Sequence, residues 1–76
     1  MSIGKVLVLY NQFVNNSGEV YKRLHFSKSF IICVNTNTGQ EYVFDISNGL
    51  DSPFFQKFKI KTIHGLRTFQ DVTSSI

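Results

Sequence analysis

The sequence predicts an all-β or β-dominated α+β fold: one small antiparallel sheet or barrel of five to six strands, with at most one or two short helical turns. Two observations lead to this expectation. The chain has no Ala, the best helix former, but has eight Phe and three Tyr, which suit a pleated, half-buried surface. Residues 56–63 alternate with a period of two, which is typical of a strand with one buried and one solvated face.

The length of 76 residues predicts a single β-rich domain over residues 1–76. Residues 3–10 are expected to form a central first strand, because its residues 5–10 are apolar on both faces. Residues 15–18, Asn-Asn-Ser-Gly, predict a turn, and residues 19–26 predict the second strand. Alternation in that strand places Tyr21, Arg23 and His25 on one face, and Val20, Leu24 and Phe26 on the other.

Residues 30–34 and 40–46 predict a hairpin of two strands around a turn at residues 35–39. Ser52 followed by Pro53 predicts a helical turn, with Ser as the N-cap and Pro at the first helical position. The alternating stretch at 56–63 is then the fifth strand, and residues 67–72 form the last. No connection is long enough for a helical crossover, so all pairing is expected to be antiparallel.

Charge and composition exclude several function classes. A net charge of +3 and an isoelectric point near 9.3 permit nucleic-acid binding without demanding it. Cys33 is the only cysteine and lies in an apolar run, so we expect a buried, inert thiol and no disulfide. We find no pattern for a catalytic site, a metal site or a cofactor. Nothing in the sequence predicts a membrane span or export, and the expected location is cytoplasmic.

The first candidate site is the basic face of the alternating stretch, formed by Lys57, Lys59 and Lys61. With Tyr21, Arg23 and His25 nearby, it is a candidate surface for a single nucleic-acid strand. The alternative interpretation is that these lysines protect an edge strand against aggregation, or pair with carboxylates such as Glu41 and Asp45.

The second candidate is an aromatic patch around Tyr10, Phe13, Phe54 and Phe55, with Phe54 and Phe55 as partner-binding residues. Its alternative is an aromatic-rich core that compensates for the small size of the domain.

These features favour a non-enzymatic protein-binding module. Small size and a composition typical of an AT-rich genome suggest a viral or phage accessory protein, acting in the host cytoplasm, that inhibits or adapts a larger host protein. The alternative function is a small nucleic-acid-binding β-domain that uses Lys57, Lys59 and Lys61. A protein is therefore the expected partner, with nucleic acid as the alternative, no membrane, and a homodimer through an edge strand compatible with either.

Overall fold

The computed structural model describes residues 3–75. These residues form six strands, three short α-helices and one turn of 3-10 helix, and strands hold 42% of them. The elements, in chain order, are α1 (Ile3–Leu9), β1 (Gln12–Asn15), β2 (Val20–Phe26), β3 (Phe30–Asn35), β4 (Glu41–Asp45), the 3-10 turn (Gly49–Asp51), α2 (Pro53–Lys57), β5 (Phe58–Thr62), β6 (Gly65–Thr68) and α3 (Phe69–Ser74).

The six strands form one antiparallel sheet in the order β4-β3-β2-β1-β5-β6. The predicted fold class is confirmed as a β-dominated small domain. The sheet is open rather than closed into a barrel, because β4 and β6 are its two ends. The helices number three, which is more than the one or two helical turns that the sequence predicted.

The prediction of a first strand at residues 3–10 is wrong, because residues 3–9 form α1. Val6 and Leu7 are fully buried against the sheet, while Val8 and Leu9 are 65% and 58% exposed. A short run that is apolar at every position fits a buried strand and a buried helix equally well, so its periodicity cannot decide between them. Tertiary packing of Val6 and Leu7 decides for the helix.

The two predicted turns are confirmed, and each is held by an asparagine. The Oδ1 atom of Asn15 accepts hydrogen bonds from the backbone N–H groups of Ser17 and Glu19 at 3.0 and 2.9 Å. The Oδ1 atom of Asn35 likewise accepts from Asn37 and Thr38. Such side-chain-to-backbone bonds explain why Asn favours turns.

The predicted faces of β2 are wrong beyond Arg23, because the pairing with β3 shifts there. Arg23 pairs with Cys33, but His25, two residues further along β2, pairs with Ile32, which is only one residue from Cys33. The strand β2 therefore contains one extra residue at this point, a β-bulge. Such a bulge turns the following side chains over. Tyr21 and Arg23 therefore face the helices, while His25 lies on the opposite face.

The alternating stretch is shorter than predicted. Its first residues belong to α2, which ends at Lys57, and β5 begins at Phe58. Ser52 and Pro53 stand at the start of α2 as expected, although the Ser52 side chain makes no capping hydrogen bond. Because β5 lies between β1 and β6, it is not an edge strand, and the lysines do not protect an edge.

The last predicted strand, residues 67–72, is also corrected. The strand is β6 (Gly65–Thr68), and the chain then turns into α3 (Phe69–Ser74). Thr68 caps this helix, because its Oγ1 accepts a hydrogen bond from the Asp71 N–H at 3.1 Å. Phe69 and Val72 are buried and anchor the helix to the sheet.

The helices cover one face of a strongly curved sheet, and aromatic rings fill the space between them. The rings of Phe44 on β4 and Phe58 on β5 lie 5.3 Å apart between centroids. Four strand spacings of about 4.8 Å would separate these residues by roughly 19 Å in a flat sheet. The sheet therefore curls around its aromatic side chains.

Candidate functional site on the open sheet face

The opposite face of the sheet carries no helix from the described part of the chain, and we call it the open face. Its side chains follow from the strand register, because each pairs with neighbours on the same side. They fall into an aliphatic centre and a surround in which eight of the ten side chains are charged or polar. The aliphatic centre comprises Val14, Val20, Ile32, Val34 and Val43; the surround comprises Gln12, Lys22, His25, Phe30, Glu41, Asp45, Lys59, Lys61, Leu66 and Thr68.

The aliphatic centre is partly open to solvent. Val43 is 68% exposed, and Val14, Val20, Ile32 and Val34 are intermediate in burial. Antiparallel sheets with one solvated face usually alternate between apolar residues inside and polar residues outside. The strand β3, which lies next to the edge strand β4, departs from this rule, because its outward residues are apolar as well.

Two of the three predicted lysines lie on the open face. Lys59 and Lys61 alternate with the buried Phe58 and Ile60, as the period of two predicted, and both are exposed. Lys57 is exposed at the end of α2 and does not belong to this face. Lys22 on β2, outside the alternating stretch, joins the two lysines, because it pairs with Gln12 on the strand next to β5.

The predicted stacking surface of Tyr21, Arg23 and His25 is not assembled. Tyr21 is buried, with its ring 5.0 Å from the Phe58 ring. The Arg23 guanidinium lies 5.4 Å from the Phe26 ring centroid on the helix side, and its buried Nε has no hydrogen-bond partner among residues 3–75. Only His25 shares the open face with the lysines, and its ring lies 6.1 Å from that of Phe30.

The structure places the aromatic patch inside the protein. Phe13, Phe54 and Phe55 are 0%, 1% and 6% exposed, and Tyr10 packs partly buried against them. The aromatic-rich core is therefore the interpretation that the fold supports. Phe54 and Phe55, predicted as partner-binding residues, present no surface to a partner in this structure.

Cys33 occupies the environment that the sequence predicted. It is fully buried on the helix side of β3, and burial raises the pKa of its thiol to about 12, with a smaller opposing effect of the Arg23 charge. A thiol with that pKa is protonated at neutral pH and is a poor nucleophile. His25 lies on the other face of the sheet, so it is not placed to activate the thiol.

Among residues 3–75, no group of three or more His, Cys, Asp or Glu side chains is arranged to hold a metal ion. No helix in that range has the length and apolar character to cross a membrane. The site that remains is the open face, with its aliphatic centre and its charged surround.

Sequence reasoning missed the aliphatic centre. The available signal was that residues 30–34 are apolar at successive positions, which implies apolar side chains on both faces of that strand. The chain matches no protein-family model, no curated protein and no solved structure, so the geometry alone bears on function.

Proposed function

We propose that this protein is a non-enzymatic protein-binding module and that it binds its partner through the open face. The observation that carries the proposal is the aliphatic centre, bordered by lysines on β2 and β5 and by Glu41 and Asp45 on β4. An apolar centre within a polar and charged rim is the usual anatomy of a protein–protein interface. A partner that covers Val43, Ile32 and Val34 would remove apolar surface from water.

The composition of the face favours protein over nucleic acid. Single strands are bound by aromatic side chains on which bases stack, together with basic groups along the backbone. On the open face the rings are Phe30 and His25, while the centre is aliphatic and offers no flat surface for a base. The carboxylates of Glu41 and Asp45 on β4 would also repel a phosphate backbone.

An accessory role suits such a surface. A domain with one binding face and no active site acts by occupying or bridging a larger protein, which is how an inhibitor or adaptor works. The suggestion that it is a viral or phage protein, working in the cytoplasm of a host, rests on size and composition.

The test uses two substitutions in the aliphatic centre, Ile32→Thr and Val34→Thr, which keep a β-branched side chain and remove apolar surface. We expect each to weaken partner binding by about 1–2 kcal/mol, which is typical of interface residues that contribute substantially to the binding energy. The measurement is nuclease-treated affinity capture from the native host, followed by titration of the captured protein.

The matched control is Val8→Thr, which makes the same chemical change as Val34→Thr at a position that is 65% exposed on α1, away from the open face. Capture that survives nuclease and Val8→Thr but fails with Ile32→Thr and Val34→Thr supports the proposal. Capture that is insensitive to both open-face substitutions would contradict it.

The nucleic-acid alternative makes a different prediction for the lysines. If the open face bound nucleic acid, Lys59→Ala and Lys61→Ala would each reduce the slope of log affinity against log salt by about 0.7–0.9. Lys57→Ala, on α2, serves as the off-face control. We expect no salt-sensitive binding of a single-stranded oligonucleotide at micromolar or tighter affinity, and finding it would favour the alternative.

A further inference from the structure

The strand β4 is a free edge of the sheet, since no other strand from residues 3–75 lies beyond it. Its backbone direction follows from two bonds to β3: Asn35 N–H donates to the Gln40 carbonyl, and Ile46 N–H donates to the Ser29 carbonyl. In an antiparallel pair such bonded positions alternate. The N–H and C=O groups of Gln40, Tyr42, Phe44 and Ile46 therefore point inwards, and those of Glu41, Val43 and Asp45 point outwards from the sheet.

This edge lacks three of the common devices that block pairing with another strand. Lysine, proline and bulges commonly protect exposed edges. The residues of β4, Glu-Tyr-Val-Phe-Asp, include no lysine or proline, and their pairing with β3 runs without a shift in register. Val43 and Tyr42 are 68% and 37% exposed, so solvent reaches the side chains of this strand on both of its faces.

The charges on β4 favour a cationic strand over a second copy of β4. In an antiparallel pair of two copies with the two-fold axis at Val43, Glu41 of one copy would stand directly opposite Asp45 of the other. Moving the axis to Glu41 or Asp45 would place that carboxylate opposite its own equivalent, and like charges at directly opposed positions destabilise a strand pair. With the axis at Tyr42 or Phe44, one carboxylate would stand opposite Val43 and neither would gain a cationic partner. A strand with Lys or Arg opposite both Glu41 and Asp45 is therefore the better match for this edge.

The side chains of β4 on the helix-covered face of the sheet place a second requirement on an added strand. Tyr42 and Phe44 line a cleft of about 330 Å³ whose other walls include Tyr21, Lys57 and Phe58. The Tyr42 and Phe44 rings are stacked, with centroids 6.2 Å apart. Residues of an added strand opposite Tyr42 and Phe44 would project towards this cleft, where aromatic or β-branched side chains make favourable cross-strand pairs.

We infer that β4 is a docking edge for an extended segment of the partner, which adds to the sheet as a seventh strand. The segment carries Lys or Arg opposite Glu41 and Asp45, an aliphatic residue opposite Val43, and aromatic residues opposite Tyr42 and Phe44. This inference rests on the proposed protein-binding function and specifies its partner: a basic, amphipathic strand, bound by backbone hydrogen bonds with side-chain pockets providing specificity.

Three capped peptides test the inference on the full chain. The first is acetyl-Thr-Lys-Tyr-Val-Tyr-Lys-Thr-amide, the second replaces both Lys by Glu, and the third is the basic peptide N-methylated at its Val. That methyl group removes the N–H that would donate to the Val43 carbonyl. Binding is measured by the shifts of backbone amide resonances in an NMR titration.

We expect the basic peptide to shift the amides of residues 41–45, and the acidic and N-methylated peptides to bind at least about tenfold more weakly. A protein with both Glu41→Lys and Asp45→Lys should reverse the preference between the basic and acidic peptides. Absence of β4 shifts at about 1 mM basic peptide, equal affinity for the two charge types, or unchanged affinity after N-methylation would overturn the inference.

The two proposals can fail separately. If capture depends on Ile32 and Val34 but the peptides do not bind β4, the open face still binds protein and strand addition is wrong. If the peptides bind as expected but capture ignores Ile32 and Val34, the β4 edge is the docking site and the open face is not.

Discussion

Phe54 holds the aromatic core together. Its ring lies within 5.7 Å, centroid to centroid, of five other phenylalanine rings. These rings come from four strands and helices besides its own: Phe13, Phe44, Phe55, Phe58 and Phe69. One side chain therefore links α2 and α3 to both halves of the curled sheet.

Truncation of this side chain should strongly destabilise the protein. Phe54→Ala is expected to cost about 3–5 kcal/mol, which is most of the stability that a domain this small has. Lys57→Ala in the same helix removes an exposed side chain and should change stability by less than about 0.5 kcal/mol. Urea denaturation followed by circular dichroism measures both. A folded Phe54→Ala protein with near-normal stability would show that the ring contacts are dispensable.

Because of Cys33, the stability of the fold should decrease at alkaline pH. Its folded-state pKa of about 12 lies above the ordinary value of 9.0, because burial penalises the thiolate. The unfolded chain therefore loses the thiol proton first as pH rises. The contribution to stability is complete below about pH 9, and is lost at up to about 1.4 kcal/mol per pH unit from there towards pH 12.

The measurement compares the free energy of unfolding of the natural protein and of Cys33→Ala from about pH 7 to about pH 11. We expect the natural protein to lose stability more steeply above about pH 9, and the difference in slope between the two proteins to give the contribution of the thiol. Parallel curves, or thiol labelling of the folded protein at the rate seen in denaturant, would contradict the burial.

At the scale of elements, a carboxylate ties two hairpins together. The Glu19 side chain accepts hydrogen bonds from the Asn15 Nδ2 at 3.1 Å and from the Asn35 Nδ2 at 3.0 Å. Asn15 and Asn35 also organise the β1–β2 and β3–β4 turns through their Oδ1 atoms. The three side chains thus join two turns that are sixteen or more residues apart along the chain.

These two amides lower the pKa of Glu19 below its ordinary value of 4.5, the Asn15 bond having the larger effect. Because the pKa of Glu19 is lower in the folded protein than in the unfolded chain, its hydrogen bonds stabilise the fold fully above the unfolded-state pKa. That stability is lost as the pH falls through the folded-state pKa. Glu19→Gln should therefore reduce the acid dependence of the urea midpoint between about pH 6 and about pH 3. Glu41→Gln, on the open face, is the control, and identical acid profiles for Glu19→Gln and the natural protein would contradict this role.

Across the whole molecule, the sheet order predicts which regions open first. Phe13 and Ile60 are fully buried on strands that are paired on both sides. The edge strand β6 has four residues and pairs with β5 on one side only. Local opening requires few contacts to be broken at such an edge.

Native-state hydrogen exchange should therefore show amides of β1 exchanging through global unfolding, and amides of β6 exchanging earlier through local opening. The free energies from exchange can be compared with the global value from urea denaturation. Equal protection of β6 and β1 would mean that the sheet opens as one cooperative unit, and would overturn this ordering.

Local patterns in the sequence determined the fold class, the two asparagine turns, the start of α2 and the burial of Cys33. Each of these depends on neighbours within a few residues: turn chemistry, alternation, or a Ser-Pro pair at a helix start. The alternation of Lys59 and Lys61 with Phe58 and Ile60 was likewise visible in the sequence.

Tertiary structure alone decided the state of residues 3–9, the face that His25 occupies beyond the bulge, and which side of the sheet the helices cover. A short apolar run satisfies either a helix or a strand, and the packing of Val6 and Leu7 against distant strands selects the helix. The same long-range packing buries Phe54 and Phe55 and leaves the aliphatic centre open. Local sequence cannot encode that choice, because it depends on how helices from both ends and the middle of the chain share one curved sheet.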